Sequence, residues 1–167
     1  MFGADNEVTL THVADKGVAL KHTATADDKP VILTLQTGET DLAANDVIGK
    51  VEFQAPDEGT GTDAILVAAG IAAVSEGDFS SSSNATKLSF KTGASEAAAE
   101  KMSLSSAGLL TVSGRIITDD TTEATSTTDG SLQTDGGLSV AKDIVAGDDI
   151  KLLSDASVIH FLSLIHI

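Results

Sequence analysis

The chain has no cysteine, no tryptophan and no tyrosine, and phenylalanine supplies its entire aromatic content of 3%. Lacking cysteine, it excludes disulfides, thiol catalysis and thiolate metal sites together. Having so few large rings, it has little with which to fill a thick globular core. Positive charge is also scarce: 10 basic residues face 25 acidic ones, a net charge of −15. Such a surface repels phosphate, so nucleic acid and anionic membranes are poor partners, and the charge reads first as a solubility device, with cation binding the alternative. Long apolar runs are missing too. The longest, AILVAAGIAAV at residues 64–74, has 11 residues and is too short to span a bilayer as a helix. The opening MFGADNEVTL carries neither the basic region nor the apolar core of a signal peptide. A soluble chain with no export address of its own is expected.

What is present is small, β-favouring and repetitive. Ala, Thr, Ser, Gly, Asp, Val and Leu make up most of the chain, and they suit thin strands better than a thick core. A hydrophobic fraction of 41% argues against wholesale disorder. In residues 129–158, DGSLQTDGGLSVAKDIVAGDDIKLLSDASV, an apolar residue returns every six positions at Leu132, Leu138, Ile144 and Ile150, with Ala156 on the next beat. Two residues after each beat come Thr134, Val140, Ala146, Leu152 and Val158, and Gly130, Gly136, Gly137 and Gly147 lie between. Neither a helix nor an uninterrupted strand has that spacing. A short strand followed by a tight turn does, and a six-residue period belongs to β-structure wound about an axis.

A second echo stands near the N-terminus, where VTLTH at residues 8–12 returns as VALKH at residues 18–22 across the turn-forming Asp15, Lys16 and Gly17. With VILTL after Pro30, residues 1–37 form a β-repeat segment expected to hold three strands. Residues 38–114 form a β-rich knob with strands expected at 47–55, 64–75, 87–91, 102–104 and 109–112. Alternation assigns Val51, Phe53, Ile65, Val67, Leu88 and Phe90 to its core. SEAAAEKM, residues 95–102, has a helical composition but is short enough to be a loop with at most one turn. Residues 115–129 are a Thr/Asp-rich connector, and residues 130–167 are the hexad segment. The closing LSLIHI is abruptly aliphatic, which suggests a truncated chain or a non-native ending.

No catalytic constellation emerges, and no cofactor is expected. His12 and His22 could face each other across a hairpin and bind a metal with a symmetry mate, although strand histidines are commonly structural. Asp119-Asp120 and Asp148-Asp149 could offer oxygen ligands, but neither follows a calcium-loop pattern, and both read as solvated turns. Gly59-Thr60-Gly61-Thr62 lacks the lysine of a phosphate loop, and Asn84-Ala85-Thr86 is a frequent chance match to a glycan acceptor. Ser80 to Ser83 has no base partner. One enzyme reading competes: left-handed parallel β-helix acyltransferases also repeat every six residues. Each coil takes about three hexads and stability needs about three coils, so the hexads here are too few, and His160 and His166 lie in no recognisable acyl-transfer loop.

A thin repeat that cannot close on itself is completed if three chains wind together, each layer then holding three apolar side chains. Here the sequence resembles the tail-fibre and related receptor-binding proteins of tailed bacteriophages. TTDGSLQTDGGLSVAKDIVAGDDIKL at residues 127–152 is similar to their shaft segments. DVIGKVEFQAPDEGTGTDAILVAA and TKLSFKTGASEAAAEKMSLSSAGLLTV resemble a β-rich domain of their distal half. The resemblance implies an all-β, intertwined homotrimer carried on the virion, extracellular after release. It implies attachment to other tail or baseplate proteins and presentation of surface to a host receptor; the lack of a catalytic constellation among the residues leads to no expectation of enzyme activity. A C-terminal autoproteolytic assembly domain often follows in that family and is missing from this sequence. The loops at residues 56–63 and 76–84 are the best receptor-contact candidates, being long and polar. A bacterial surface adhesin or S-layer-like module shares the same Thr/Asp/Gly-rich idiom.

Overall fold

The computed structural model describes residues 8–56, 63–147, 150–153 and 157. The chain divides into two units, residues 1–116 and residues 117–167. In the first, seven strands run in chain order: β1 (Val8–Val13), β2 (Gly17–His22), β3 (Val47–Gln54), β4 (Val67–Ser75), β5 (Thr86–Thr92), β6 (Ala99–Leu104) and β7 (Leu110–Val112). The sole helical feature among the described residues is a 3-10 turn at Asp63–Ile65. The protein is therefore all-β, as its small-residue alternation indicates.

Strands β1 and β2 form a two-stranded antiparallel sheet. The connection works because Asp15 (φ 61) and Gly17 (φ 111) both occupy the left-handed region, and Lys16 N donates to Val13 O at 3.1 Å. The register pairs Val8 with His22, Leu10 with Leu20, and His12 with Val18. A tandem repeat folded antiparallel thus becomes a palindrome about the Leu10–Leu20 pair. The third strand expected at residues 31–35 does not form: Val31, Ile32, Leu33 and Leu35 are exposed and outside any ladder. β-branched composition alone does not make a strand without a neighbouring backbone to bond. Leu35 instead lies over the second sheet at Gly49, where an added Cβ would come within 3.1 Å of Leu35 Cβ.

Strands β3 to β7 form a five-stranded antiparallel meander in sequence order. Its elements follow the alternation closely, with two adjustments. The run expected as one strand at 64–75 is divided into the 3-10 turn and β4, and β6 opens at Ala99, earlier than expected. Residues 94–97 are a series of bends, so SEAAAEKM forms no helix. The β6–β7 turn closes on Gly108 (φ 79), whose N–H donates to Ser105 O at 3.0 Å, while Ser105 N returns to Leu109 O at 3.0 Å.

The expected core is corrected by this sheet. Register places Val51, Ile71, Phe90, Met102 and Val112 in one row across all five strands, with Ala73, Leu88, Leu104 and Leu110 in the next. Alternation therefore sorted the faces properly. Yet Val51, Phe53, Ile65 and Leu88 are exposed, Phe53 by 57%, and Val67 and Phe90 are only half-buried. Leu35 reaches that face at its Gly49 edge, and no second sheet or helix within the described residues covers the rest. The residues that are buried belong elsewhere: Ala72 (3% exposed), Val74, Ser75 and Ser89 (0%). Ser75 is enclosed because residues 43–46 wrap onto it. Its N–H donates to Asp46 O at 2.9 Å, its O accepts from Asn45 N at 3.0 Å, and its hydroxyl accepts from Asp46 N at 2.9 Å while donating to Ala43 O.

In the second unit no strand forms among the described residues, contrary to the strand-and-turn expectation. The turns are nevertheless in register with the hexad: bends fall at residues 130–132, 135–136, 141–142 and 147. Leu138 and Ile144 lie between the bends.

Candidate functional site

Opposite its apolar face the five-stranded sheet is polar. Lys50 pairs with Ala72 and Ala72 with Ser89; Glu52 pairs with Gly70, Gly70 with Lys91, and Lys91 with Glu100. Small residues at the strand centres and long charged ones around them produce a shallow cleft of about 150 Å³, lined by Lys50, Glu52, Gly70, Ala72, Lys91 and the Ala97-Ala98 backbone turn. The turn is held over the strand by Gly93 N to Ala68 O and Ala98 N to Val67 O, both 2.9 Å. A side chain at Gly70 would meet Val51 O at 3.0 Å, so glycine keeps the floor low.

The electrostatics of this face are local. Lys50 Nζ bonds Glu52 Oε1 at 2.6 Å, and Lys87 Nζ bonds Glu100 Oε2 at 3.0 Å. The Glu100 carboxyl is held below its ordinary pKa by the neighbouring Ser89 hydroxyl first and by Lys87 second. Ser89 Oγ makes no well-formed hydrogen bond despite being fully enclosed; it sits beside the carboxylate near enough to favour its charged form, in poor bonding geometry. Two ammonium groups and a carboxylate around a small apolar floor suit a hydroxyl-rich or zwitterionic ligand of a few atoms. They supply no nucleophile with an adjacent base. Sequence reasoning missed this cleft because lysines alternating with apolar residues in VIGKVEFQ and KLSFK give the face but not the register between distant strands.

The residues singled out by sequence are placed as follows. His12 and His22 do not face each other: each pairs with a valine, and they stand about 13 Å apart along the strands by the ordinary rise per residue. Among the described residues no group of three or more metal-ligating side chains gathers. Asp120 turns its carboxylate inward to its own connector, accepting from Thr122 N at 3.0 Å and Thr122 Oγ1 at 2.7 Å, which lowers its pKa. Ser80 to Ser83 closes on itself through Ser80 N to Ser83 O at 2.9 Å and the reverse bond at 3.3 Å. That loop is anchored, with Phe79 N bonding Leu42 O at 2.8 Å and Ala44 N bonding Asp78 Oδ1 at 3.2 Å. Its candidate contact surface is therefore pinned rather than flexible. Asn84 is exposed, and Thr86 Oγ1 donates to Asn84 O at 2.9 Å where β5 begins. Gly59 to Thr62, most of the loop at 56–63, Asp148-Asp149, Ala156, Val158, His160, His166 and the LSLIHI ending lie outside the described residues.

No family model matches the chain, and no curated protein is similar to it.

Proposed function

We propose that this chain is a structural segment of a trimeric surface fibre, of the kind that forms phage tail fibres, presenting its sheet and loops to a host receptor. The observation that carries the reading is the hexad segment. Its turns recur every six residues, yet Leu132, Leu138, Ile144 and Ile150 are 75%, 70%, 67% and 71% exposed, and among the described residues no ladder forms between them. A segment with the turns of a β-repeat but no strand partner is completed by neighbouring chains. Three copies would bring those four side chains to a common axis, layer upon layer, with the Asp and Lys residues outside. In this reading the protein is carried on the virion and outside the cell after release, joined to other tail or baseplate proteins. Its receptor-facing surface is the anchored loop at residues 76–84 together with the loop at 56–63.

Sedimentation of the full chain, produced together with a trimer-assembling C-terminal domain, tests the reading. Wild type should run as a trimer. Ile144→Asp, which places three carboxylates together at the axis, should run as a monomer. A wild type that stays monomeric, or an Ile144→Asp variant that still trimerises, refutes it.

A further inference from the structure

The apolar face of the five-stranded sheet has no counterpart in the hexad argument, and it carries an inference of its own. Both of its central rows cross all or most of the strands without one charged side chain, in a chain whose net charge is −15. Every charged residue of β3 and β5 alternates onto the opposite face, including Lys50, Glu52, Lys87 and Lys91. The burial is inverted relative to an ordinary one-layer sheet. The fully buried Ser89 and Ala72 lie on the charged side, while Ile71 and Leu88 on the apolar side are more than 40% exposed.

We propose that this face is an interface between copies of this chain, the sheet of one packed on the same face of a second. Three arguments select that occupant. An uncharged surface on a strongly acidic protein is complementary to another uncharged surface, and a second copy presents one, whereas a charged partner gains nothing there. The face is mixed in size: Ala69 and Ala73 stand among Ile71, Leu88 and Phe90, so two such faces interdigitate as the inner layers of a sandwich do. The area also suffices. Five strands about 4.8 Å apart and about seven residues long project roughly 550 Å² per copy, so a pair hides about 1,100 Å², the size at which specific interfaces begin. This interface goes beyond the fibre reading and stands without it, because it uses no residue of the hexad segment.

Sedimentation velocity and thermal melting of the full chain, as wild type, Ile71→Lys, Leu110→Lys and Ile144→Asp, test the proposal. Ile71 sits in the middle of the face and Leu110 at its β7 edge. Both are substantially exposed in the single chain, so lysine there leaves the sheet folded. Wild type should self-associate. Ile71→Lys should weaken that association by at least about tenfold and Leu110→Lys by less, with far-ultraviolet dichroism unchanged. Association that survives both lysine variants overturns the proposal. So does a monomeric wild type, including one whose melting temperature falls on Ile71→Lys, since its own chain would then be covering the face. Ile144→Asp separates the two readings. If it alone dissociates the assembly, the fibre axis stands and this interface fails; if the lysine variants alone do so, the interface stands and the axis fails.

Discussion

The sheet at residues 47–112 and the hexad segment that follows it are built from the same small and aliphatic residues, and both leave aliphatic side chains in water. They differ in where their backbone hydrogen bonds go. In the sheet each strand bonds the next one in sequence, so the chain supplies its own partners. In the hexad segment the turns form on schedule, but among the described residues the pieces between them join no ladder. A period of two with hairpin turns specifies structure within one molecule. A period of six returns the turns to one side without, among the described residues, giving the extended pieces a ladder.

Charge placed in each region separates their behaviour most strongly. Val74 is buried beside Lys87 on the polar face, so Val74→Lys sets an unpaired ammonium next to another one. It should cost about 3–5 kcal/mol, comparable to the whole stability of a marginal domain. Urea melts followed by far-ultraviolet dichroism should show the sheet unfolded or nearly so. In monomeric protein Ile144→Asp should leave the same melt where it was, since Ile144 is already in water. If the two variants shift the melt equally, the regions are not independent.

A smaller effect sharpens the account of what holds the sheet. Ser75→Ala removes the hydroxyl that accepts from Asp46 N and donates to Ala43 O, leaving those two groups the 3.2 Å bond they make with each other. The expected loss is about 0.5–1.5 kcal/mol, read as a lower urea midpoint with unchanged slope. An unaltered midpoint would mean that residues 43–46 are not fastened through this serine.

The smallest effect belongs to the second unit and concerns pH. Asp129 accepts from Thr125 N at 2.7 Å, Thr125 Oγ1 at 2.6 Å and Ser126 N at 2.8 Å. The Thr125 hydroxyl foremost, then the Ser126 amide, lower its carboxyl from 3.8 to about 2. A depressed carboxyl pKa favours the ordered turn above its ordinary value, and that contribution disappears as pH falls from about 4 through about 2. Carboxyl chemical shifts should give a midpoint near 2 for wild type and a higher one for Thr125→Ala. A wild-type midpoint at the ordinary aspartate value would remove this turn from the account.

Much of the sheet was legible because Phe53 between Glu52 and Gln54, and Phe90 between Ser89 and Lys91, announce which side of a strand is which. What alternation could not reveal was whether the chain owned a second layer. It assigned Phe53 and Leu88 to a core, and the five strands left them at the surface because no described element packs on them. The third N-terminal strand failed for a related reason: VILTL has the composition of a strand, but no neighbour supplies its ladder. Ser75 and Ser89 carried no signal, since burial of a serine depends on which distant loop or strand comes to lie beside it. The Lys50–Lys91 cleft was hidden likewise, its walls lying about 40 residues apart in sequence and meeting through β4.

The β1–β2 hairpin has one consequence for recognition. Moving outward from the Leu10–Leu20 pair, a partner meets His12 along one strand and His22 along the other, in the same order and at the same spacing. Turned through half a revolution, the row of Leu and His positions offers the same sequence of groups. A flat partner reading that row alone has two equivalent poses. The positions between them break the tie, because Thr9 and Thr11 of one strand correspond to Ala19 and Lys21 of the other. Polarity at this hairpin is written in the turn and in the alternate positions of the strands, with Lys21 the one charged mark of the strands.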